Sequence, residues 1–274
     1  MTDGKEREYV LGTHEDEVER LGLQHRIWRN EALSCWKRSG ITVGSKVLDV
    51  GAGPGYATVD LAEIVGPSGR VVGVERSSHF LDTARARCAG RGLANVDLRE
   101  LDLMTDPIGV TGMDASWCRW VASFVASPQT LVASIASALR VGGMAGFHEY
   151  GAYKSWSLAP RGKFLAEVVA EVEASWRAAG GDPDVGMTLP SLLHEAGMKV
   201  RHMRPIVWIL RPSDYGWRWP AVFLEVQIRR LGEMRHKDPS WAESVRREFE
   251  EAEKNPHAII VTPLVLEIVA ERMA

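Results

Sequence analysis

The sequence predicts an α/β protein built on a parallel sheet, and two observations support this. Short β-branched and aliphatic segments alternate with amphipathic helical segments as far as Tyr150 of the 274-residue chain. The first apolar segment, residues 46–50, ends in a glycine-rich turn that leads into a helical pattern. Short apolar strands separated by helices are typical of a parallel sheet covered by helices on both faces.

Composition and charge exclude several function classes. The net charge of −3 offers no broad attraction for nucleic acid or for an anionic membrane, so we expect neither as a partner. The three cysteines form no C-x-x-C pair and the eight histidines form no H-E-x-x-H motif, so no metal is expected. The polar N-terminus and the lack of an apolar stretch of about 18 residues favour a cytoplasmic protein.

The alternation up to Tyr150 predicts five strands and four helices. Val18, Leu21 and Trp28 recur at helical spacing, and Gly40 ends this first helix. The predicted strands cover residues 46–50, 70–75, 95–100, 112–118 and 142–148. The predicted helices cover residues 14–38, 55–65, 77–91 and 127–140.

The pattern changes after Tyr150. Helices are predicted over 161–179, 189–196 and 213–254, and strands over 199–209 and 264–271. The long helical segment, residues 213–254, therefore lies between the last two predicted strands. We expect a core formed by residues 41–210 and 258–274, with a helical cover at 1–40 and a helical insertion or lid at 211–257.

The segment VLDVGAGPGY, residues 47–56, carries the most specific motif. Glycines allow the backbone to approach a ligand closely, and the start of the following helix offers unpaired N–H groups. The spacing is G-x-G-x-G, which differs from the G-x-G-x-x-G of dinucleotide-binding proteins. Together with Asp49, the turn resembles motif I of the class I S-adenosylmethionine-dependent methyltransferases.

Residues 9–28 are similar to the opening of small-molecule methyltransferases related to the ubiquinone and menaquinone C-methyltransferases, where this segment folds over the cofactor. The resemblance implies a Rossmann-like, seven-stranded α/β sheet with an antiparallel last strand, an N-terminal helical cover and a helical insertion before the final strand. It implies S-adenosylmethionine as cofactor and a small molecule as methyl acceptor, and it allows a homodimer.

The resemblance also assigns residues to the cofactor. Glu75 ends the second strand and matches the family's motif II, and a carboxylate at that position can accept hydrogen bonds from both ribose hydroxyls. Asp102 and Leu103 follow the third strand and match the positions that hold the adenine. The full set of expected cofactor-binding residues is Tyr9, Gln24, Asp49, Gly51, Gly53, Glu75, Arg76, Asp102, Leu103 and Cys118.

The residues at the end of the fourth strand indicate which class of methyl acceptor to expect. Methyltransferases that act on adenine or glutamine nitrogens carry Asn/Asp-Pro-Pro-aromatic here, whereas this chain has Cys-Arg-Trp-Val at 118–121, which argues against those acceptors. Arg119 can hold a substrate carboxylate, and a structural ion pair is the alternative. The expected substrate-binding residues are Trp28, Arg119, Trp120, Trp156, Trp217 and Trp219.

The fifth strand ends in His148, Glu149 and Tyr150, which can all transfer protons. Strand alternation places His148 and Tyr150 on one face and Glu149 on the other. A buried structural role is an equal alternative to catalysis for this triplet. The candidate catalytic residues are His14, His25, His148 and Tyr150.

These observations predict an enzyme that transfers a methyl group from S-adenosylmethionine to a carbon, nitrogen or oxygen of a small molecule, in biosynthetic or secondary metabolism. One alternative is an enzyme of the same fold that uses the bound cofactor for cyclisation or decarboxylation. A methyltransferase for RNA or protein is a further alternative, and the acidic net charge argues against it.

Overall fold

The computed structural model describes residues 15–160, 162–235 and 239–274. Its strands are β1 Lys46–Val50, β2 Arg70–Glu75, β3 Val96–Glu100, β4 Met113–Arg119, β5 Leu139–Ala152, β6 Ser157–Ala159, β7 Met198–Ile206, β8 Ile209–Leu210, β9 Ile259–Val261 and β10 Leu264–Arg272. Its helices are α1 Glu15–Arg38, α2 Tyr56–Val65, α3 Ser78–Gly90, α4 Pro128–Ala138, α5 Lys163–Ala178, α6 Leu189–Glu195, α7 Arg218–Arg235 and α8 Pro239–Lys254.

The main sheet has seven strands in the order β3-β2-β1-β4-β5-β10-β7. Strands β1 to β5 pair in parallel, whereas β10 lies antiparallel between β5 and β7. The predicted fold class, including the antiparallel last strand, is confirmed. The chain leaves β1 toward β2 and later returns to β4 on the other side of β1. Ligands bind at such a switch point in open α/β sheets.

Three local predictions differ from the structure. Helix α4 ends at Ala138, and β5 begins at Leu139, because Leu139 is fully buried and pairs with Met113. Strands β6, β9 and β8 form a second sheet that was not predicted, since segments of two or three residues show no readable alternation. The predicted helix 213–254 consists of α7 and α8, and Pro239 begins the latter.

Three groups of buried hydrophobic residues form the core. Two of them flank the main sheet. The third, here called the lid cluster, joins α1 and the end of β5 to α5, α7 and α8. Its aromatic members are Trp28, Trp120, Tyr150, Tyr153, Trp156, Trp176, Trp217, Trp219, Phe223 and Phe249. The tryptophans of this cluster that follow Tyr150 in the sequence therefore fill a core.

A buried carboxylate fixes the turn that follows β4. Glu149 is fully buried on β5 and accepts hydrogen bonds from the backbone N–H groups of Val121 (2.8 Å), Ala122 (2.9 Å) and Ser123 (3.3 Å) and from the Ser123 hydroxyl (2.8 Å). Burial raises the pKa of Glu149 to about 7, although these donors oppose the rise. The turn begins with Trp120 at φ 52°, a left-handed conformation that is uncommon for a non-glycine residue.

Replacing this carboxylate by an amide is expected to destabilise the protein. In Glu149→Gln the amide NH₂ cannot accept hydrogen bonds, so buried N–H groups of residues 121–123 lose their acceptor at a cost of about 1–3 kcal/mol. Thermal denaturation followed by circular dichroism should show a lower Tm. The control is Glu195→Gln, an exposed residue that accepts from Gln129 at 3.4 Å. An equal change in Tm for the two variants would contradict the assignment.

Candidate functional site

A cavity of about 440 Å³ lies at the carboxyl ends of β1, β2 and β4, where it is covered by α1. Eleven of the residues singled out from the sequence line it: Gln24, His25, Asp49, Gly51, Gly53, Glu75, Arg76, Asp102, Leu103, Arg119 and Trp120. A larger, open groove of about 650 Å³ lies at the opposite ends of β2 and β3, away from the glycine turn. The switch point of the sheet therefore forms the candidate site.

The glycine turn after β1 has a conformation that side chains would disturb. Gly51 has φ 68°, and a Cβ atom there would lie 2.4 Å from Cγ2 of Val121. Gly53 has φ 53°, and a Cβ atom there would meet open space. The turn therefore packs Gly51 against the turn after β4 and presents the backbone at Gly53 to the cavity.

Glu75 joins the end of β2 to the glycine turn. One carboxylate oxygen accepts from the backbone N–H of Gly53 at 3.0 Å, and the other accepts from the N–H groups of Arg76 (2.9 Å) and Ser77 (3.0 Å). Burial raises the pKa of Glu75, and these three donors limit the rise. The carboxylate is thus held at the cavity wall in a fixed orientation.

Asp49 lies on β1 beneath the turn and is buried. Its carboxylate accepts a 2.6 Å hydrogen bond from the Thr58 hydroxyl at the start of α2. Burial raises the pKa of Asp49 to about 6, although Thr58 and the charge of Arg119 oppose the rise. No sequence pattern pointed to Thr58, since a threonine within a helical segment carries no distinguishing signal.

Arg119 brings a positive charge close to Asp49. Its Nη1 atom is buried and has no hydrogen-bond partner among the described residues, whereas Nη2 lies 3.2 Å from Nδ1 of His25. The guanidinium lies 5.8 Å and 5.2 Å from the ring centroids of Trp117 and Trp120. Burial lowers the pKa of Arg119 to about 10, and the charge of Asp49 limits that shift.

The two charges share one face of the sheet. Asp49 pairs with Trp117 across β1 and β4, and Trp117 and Arg119 are two residues apart on β4. Period-2 alternation therefore places all three side chains on the face that α1 covers. Trp117 also lines the cavity, and alternation from Arg119 was the signal that could have identified it.

His25 is held as a neutral imidazole between a cation and an anion. Because a guanidinium can only donate, Nδ1 accepts from Arg119, and Nε2–H donates to Asp60 at 3.1 Å. Asp60 also accepts from Arg29 at 2.7 Å. Burial lowers the pKa of His25, and the Asp60 hydrogen bond opposes this. Of the predicted catalytic residues within the described chain, His25 lines the cavity.

The far end of the cavity is formed by the segment after β3. The Asp102 carboxylate accepts from the backbone N–H of Met104 at 2.9 Å, and the Asp102 N–H donates to Asp106 at 2.8 Å. Leu103 and Met104 contribute apolar surface to the wall. This local network gives the segment a defined shape beside Glu75.

Three predicted residues do not line the cavity: Cys118, expected to bind the cofactor, and His148 and Tyr150, expected as catalytic candidates. Cys118 is fully buried on the opposite face of β4, with Sγ 3.9 Å from Oε1 of Glu149. His148 is fully buried, and its Nε2 lies 3.2 Å from Oε2 of Glu267. Tyr150 packs in the lid cluster, with its ring 5.6 Å from Trp120. Burial against other core elements separates these groups from a ligand in the cavity.

Four predicted tryptophans are also core residues. Trp28 packs edge-on against Trp120, with the ring centroids 5.0 Å apart. The indole N–H of Trp217 donates to Glu253 at 3.0 Å, and that of Trp219 donates to Gln24 at 3.1 Å. The structure therefore places Trp28, Trp156, Trp217 and Trp219 in the lid cluster, behind the cavity wall formed by Trp120. Tyr9 and His14 lie outside the described residues.

One group of described side chains could offer three ligand atoms to a metal ion. Cys35, His148 and Glu267 are buried, with their ligand atoms within 4.8 Å of one another. Glu267 already accepts from Arg38 (2.8 Å) and Arg204 (2.9 Å). Although burial opposes it, the hydrogen bonds from His148 and Arg204 lower the pKa of Glu267 to about 2. Two guanidinium groups already balance this carboxylate and would repel a cation.

Comparison with known proteins shows sequence similarity over the part of the chain that contains the glycine turn. Residues 47–143 match the model of a family described as a methyltransferase domain. Over 84 residues the chain is 36% identical to the demethylmenaquinone methyltransferase of Lactococcus lactis subsp. lactis, which covers 31% of this chain and 32% of the relative. Over 91 residues it is 34% identical to that of Staphylococcus aureus strain JH9, covering 33% and 36%. The alignments thus span about a third of these relatives.

Solved structures extend the similarity of fold to most of the chain. The geranyl diphosphate C-methyltransferase of Streptomyces coelicolor, in complex with Mg²⁺, geranyl diphosphate and S-adenosyl-L-homocysteine, has a TM-score of 0.58 at 16% identity, covering 95% of this chain and 86% of that one. The YcgJ protein of Bacillus subtilis has a TM-score of 0.57 at 15% identity, covering 89% and 97%. The [4+2]-cyclase SpnF has a TM-score of 0.56 at 18% identity, covering 90% and 80%.

None of the helices in the described part of the chain is long and apolar enough to cross a membrane. The seven-stranded sheet and the glycine turn agree with the family match. Residues 47–143 therefore match a methyltransferase domain, and part of the chain is similar in sequence to the demethylmenaquinone methyltransferases.

Proposed function

We propose that this protein transfers the methyl group of S-adenosylmethionine to a small-molecule acceptor. The observation that carries the proposal is the pairing of opposite charges in the cavity. Asp49 offers a carboxylate and Arg119 offers a buried Nη1 that lacks a partner among the described residues. An α-amino and an α-carboxylate group, as in a methionine moiety, complement these two charges.

The remaining cavity residues fit the nucleoside. Glu75 would accept hydrogen bonds from the ribose hydroxyls, since its carboxylate is fixed at the end of β2 by three backbone donors. Leu103 and Met104 would pack against the adenine, with Asp102 beside it. Arg119, predicted from the sequence as a substrate ligand, is reassigned in this proposal to the cofactor.

When bound, S-adenosylmethionine supplies an electrophilic methyl group on a sulfonium, so the protein's contribution is mainly positioning and exclusion of water. Helix α1 covers the cavity through Leu21, Gln24 and His25. His25 is a candidate base for an acceptor that must lose a proton, because burial keeps its imidazole neutral at neutral pH. Its Nδ1 lone pair becomes available when Arg119 turns toward the cofactor carboxylate.

Methyl transfer is tested directly with cofactor labelled in the methyl group. The purified protein is incubated with labelled S-adenosylmethionine and a low-molecular-weight extract of cells of the source organism. We expect label in an extractable small molecule and an equal amount of S-adenosylhomocysteine, both dependent on the protein. If the extract changes while the label remains in the cofactor, the enzyme uses the fold for a non-methylating reaction, which the family match does not favour.

The charge pairing predicts different behaviour for two ligands. Arg119→Met is expected to weaken S-adenosylhomocysteine roughly 10- to 100-fold, because a charged hydrogen bond contributes about 1.5–3 kcal/mol. Its affinity for 5′-methylthioadenosine, which lacks the amino-acid group, should remain unchanged. Isothermal titration calorimetry measures both ligands.

The matched variant is Glu75→Gln, which should weaken both ligands because both carry the ribose. Glu63→Gln, at an exposed ion pair with Arg91, serves as the neutral control. Equal losses of both ligands in Arg119→Met would place this guanidinium outside the amino-acid subsite.

The pKa of Asp49 predicts how cofactor binding depends on pH. Burial raises this pKa to about 6 in the free protein, and only the ionised carboxylate attracts an ammonium group. The affinity for S-adenosylhomocysteine should therefore rise up to tenfold per pH unit below pH 6 and level off above about pH 7. Titrations between pH 5 and pH 8 measure this.

In Asp49→Asn the ammonium loses its charged partner, so affinity should be lower at pH 8 and should vary less with pH. The pKa of Glu75 is also raised, so Glu75 contributes to the pH dependence of binding. Since 5′-methylthioadenosine carries the ribose but no amino-acid group, the pH dependence of its affinity measures this contribution alone. The same slope for both ligands in the unmodified protein would show that Asp49 does not bind the amino group.

A further inference from the structure

His25 contacts two charged side chains through its two ring nitrogens. Nε2 lies 3.1 Å from Oδ2 of Asp60 on α2, and Nδ1 lies 3.2 Å from Nη2 of Arg119 on β4. The side chain of His25 is 7% exposed and that of Asp60 is 13% exposed. His25 and Arg119 line the cavity, whereas Asp60 does not. The imidazole therefore joins a group at the cavity to a carboxylate outside it.

Helix α2 holds the ring of His25 from two positions. The Tyr56 ring stacks on the imidazole, with the centroids 5.9 Å apart and the planes inclined by 21°. Asp60 follows Tyr56 by four residues, so the two side chains share one face of α2. The Tyr56 hydroxyl donates to the carbonyl of Val18 at 3.2 Å, and a Cβ atom at Gly22 would lie 2.4 Å from that hydroxyl. Because Gly22 has no side chain, α1 lies directly against Tyr56, and the imidazole has a fixed orientation.

Arg29 holds Asp60 from the solvent side. Its Nε donates to Oδ2 of Asp60 at 2.7 Å, its Nη2 donates to Oδ1 at 3.3 Å, and its side chain is 46% exposed. Although burial opposes it, the hydrogen bonds from His25 and Arg29 lower the pKa of Asp60. Asp60 is therefore ionised at neutral pH and can only accept hydrogen bonds.

The charged neighbours select one tautomer of His25. Because Asp60 can only accept, Nε2 carries the proton, and because a guanidinium can only donate, the lone pair on Nδ1 faces Arg119. Burial lowers the pKa of His25, the charges of Arg119 and Arg29 lower it further, and Asp60 raises it. Tyr56 is the other titratable group that faces the ring. The basic nitrogen of a neutral imidazole thus lies at the cavity wall.

We propose that Asp60 is a positioning residue for methyl transfer: it keeps the lone pair of His25 on Nδ1, and its charge stabilises the imidazolium that forms when Nδ1 takes a proton from the acceptor. The inference rests on the proposed function, in which His25 is the candidate base. The acceptor's proton passes to Nδ1 as the acceptor atom bonds to the methyl carbon, and the electron pair of the broken methyl–sulfur bond stays on sulfur. Nε2 keeps its proton throughout, and the proton on Nδ1 then leaves to solvent.

Arg119 links this arrangement to the cofactor. Its Nη2 contacts Nδ1 of His25, and its Nη1 is buried without a partner among the described residues. A carboxylate bound beside the guanidinium offsets the charge that lowers the pKa of His25. Saturation with S-adenosylhomocysteine should therefore raise the pKa of His25, whereas 5′-methylthioadenosine, which lacks the carboxylate, should not. Equal values with the two ligands would overturn this link.

The first test reads the tautomer of His25 by NMR of protein labelled with ¹⁵N in its histidines, because a protonated ring nitrogen and one with a lone pair differ in chemical shift. His25→Gln identifies its signals among the eight histidines. In the unmodified protein saturated with S-adenosylhomocysteine, we expect the proton on Nε2. In Asp60→Asn the amide can donate to Nε2, so both tautomers should be populated, and the loss of the carboxylate should lower the pKa of His25.

Arg29→Met separates this role from a structural one. The variant breaks an ion pair between α1 and α2, as Asp60→Asn does, but it leaves the carboxylate of Asp60 in contact with His25. The proton should stay on Nε2, and the pKa of His25 should not fall, since a positive charge is removed. If both variants change the His25 signals alike, or if Asp60→Asn leaves the tautomer unchanged, Asp60 only joins the two helices and the proposal is wrong.

The second test measures the rate at which label passes from saturating S-adenosylmethionine to the small-molecule product of the cell extract. Asp60→Asn should slow transfer roughly 10- to 100-fold, because a general base contributes about 10²–10⁴-fold and this variant weakens the base without removing it. Asp60→Glu keeps a carboxylate and should recover part of the rate. The matched control is Glu63→Gln, which removes a carboxylate from α2 at an exposed ion pair and should keep the unmodified rate.

The outcomes separate this inference from the proposed function. If label is transferred and Asp60→Asn keeps the full rate, Asp60 does not act through His25, and the cofactor assignment stands. If the rate falls only together with the affinity for S-adenosylhomocysteine, Asp60 supports the cavity as a whole, which would also overturn the inference. If the unmodified protein transfers no label, the proposed function fails, and this inference fails with it.

Discussion

Two carboxylates that accept backbone hydrogen bonds hold together the edge of the sheet at which the cavity opens. Glu75 binds the N–H of Gly53 and the N–H groups of the segment after β2, and Glu149 binds three N–H groups of the turn after β4. Each carboxylate therefore fixes a loop that lines the cavity. Because Gly51 packs against Val121, the two loops are also fixed relative to each other.

Between these loops, Asp49 and Arg119 place opposite charges close together in a buried environment. Burial shifts the pKa of Asp49 upward and that of Arg119 downward, so each charge is costly and each is partly stabilised by the other. A ligand with both an ammonium and a carboxylate satisfies both groups at once. The Nη1 atom of Arg119 is buried without a hydrogen-bond partner among the described residues.

The aromatic region behind Trp120 is built differently from the cavity. Backbone turns and charged groups line the cofactor cavity, whereas aromatic rings from α5, α7 and the segment after β5 fill the space behind Trp120. The Tyr153 hydroxyl and the indole N–H groups of Trp156 and Trp176 are buried without a partner among the described residues, so this aromatic region is more polar than its ring content suggests.

The cofactor half could be predicted because its signals are local. A strand end, a glycine turn and a helix start are consecutive in the sequence, and the parallel order brings Glu75 to the turn at Gly53. His148 shows the opposite case. Its partner Glu267 is 119 residues away in the sequence, and the pair forms only because β10 inserts next to β5. A proton-transfer group at the end of a strand therefore proved to be part of a buried ion-pair network.

The sequence by itself determined the α/β alternation, the order of the loops that line the cavity and the identity of the acidic residues at the ends of β1 and β2. These follow from hydrophobic periodicity and from turn chemistry, which act over a few residues. Tertiary structure alone decided which side chains face the cavity. Cys118 and Arg119 are neighbours on β4, yet one lies behind Glu149 and the other lines the cavity. The same holds for the tryptophans, since aromatic residues form a core or a pocket according to what packs against them.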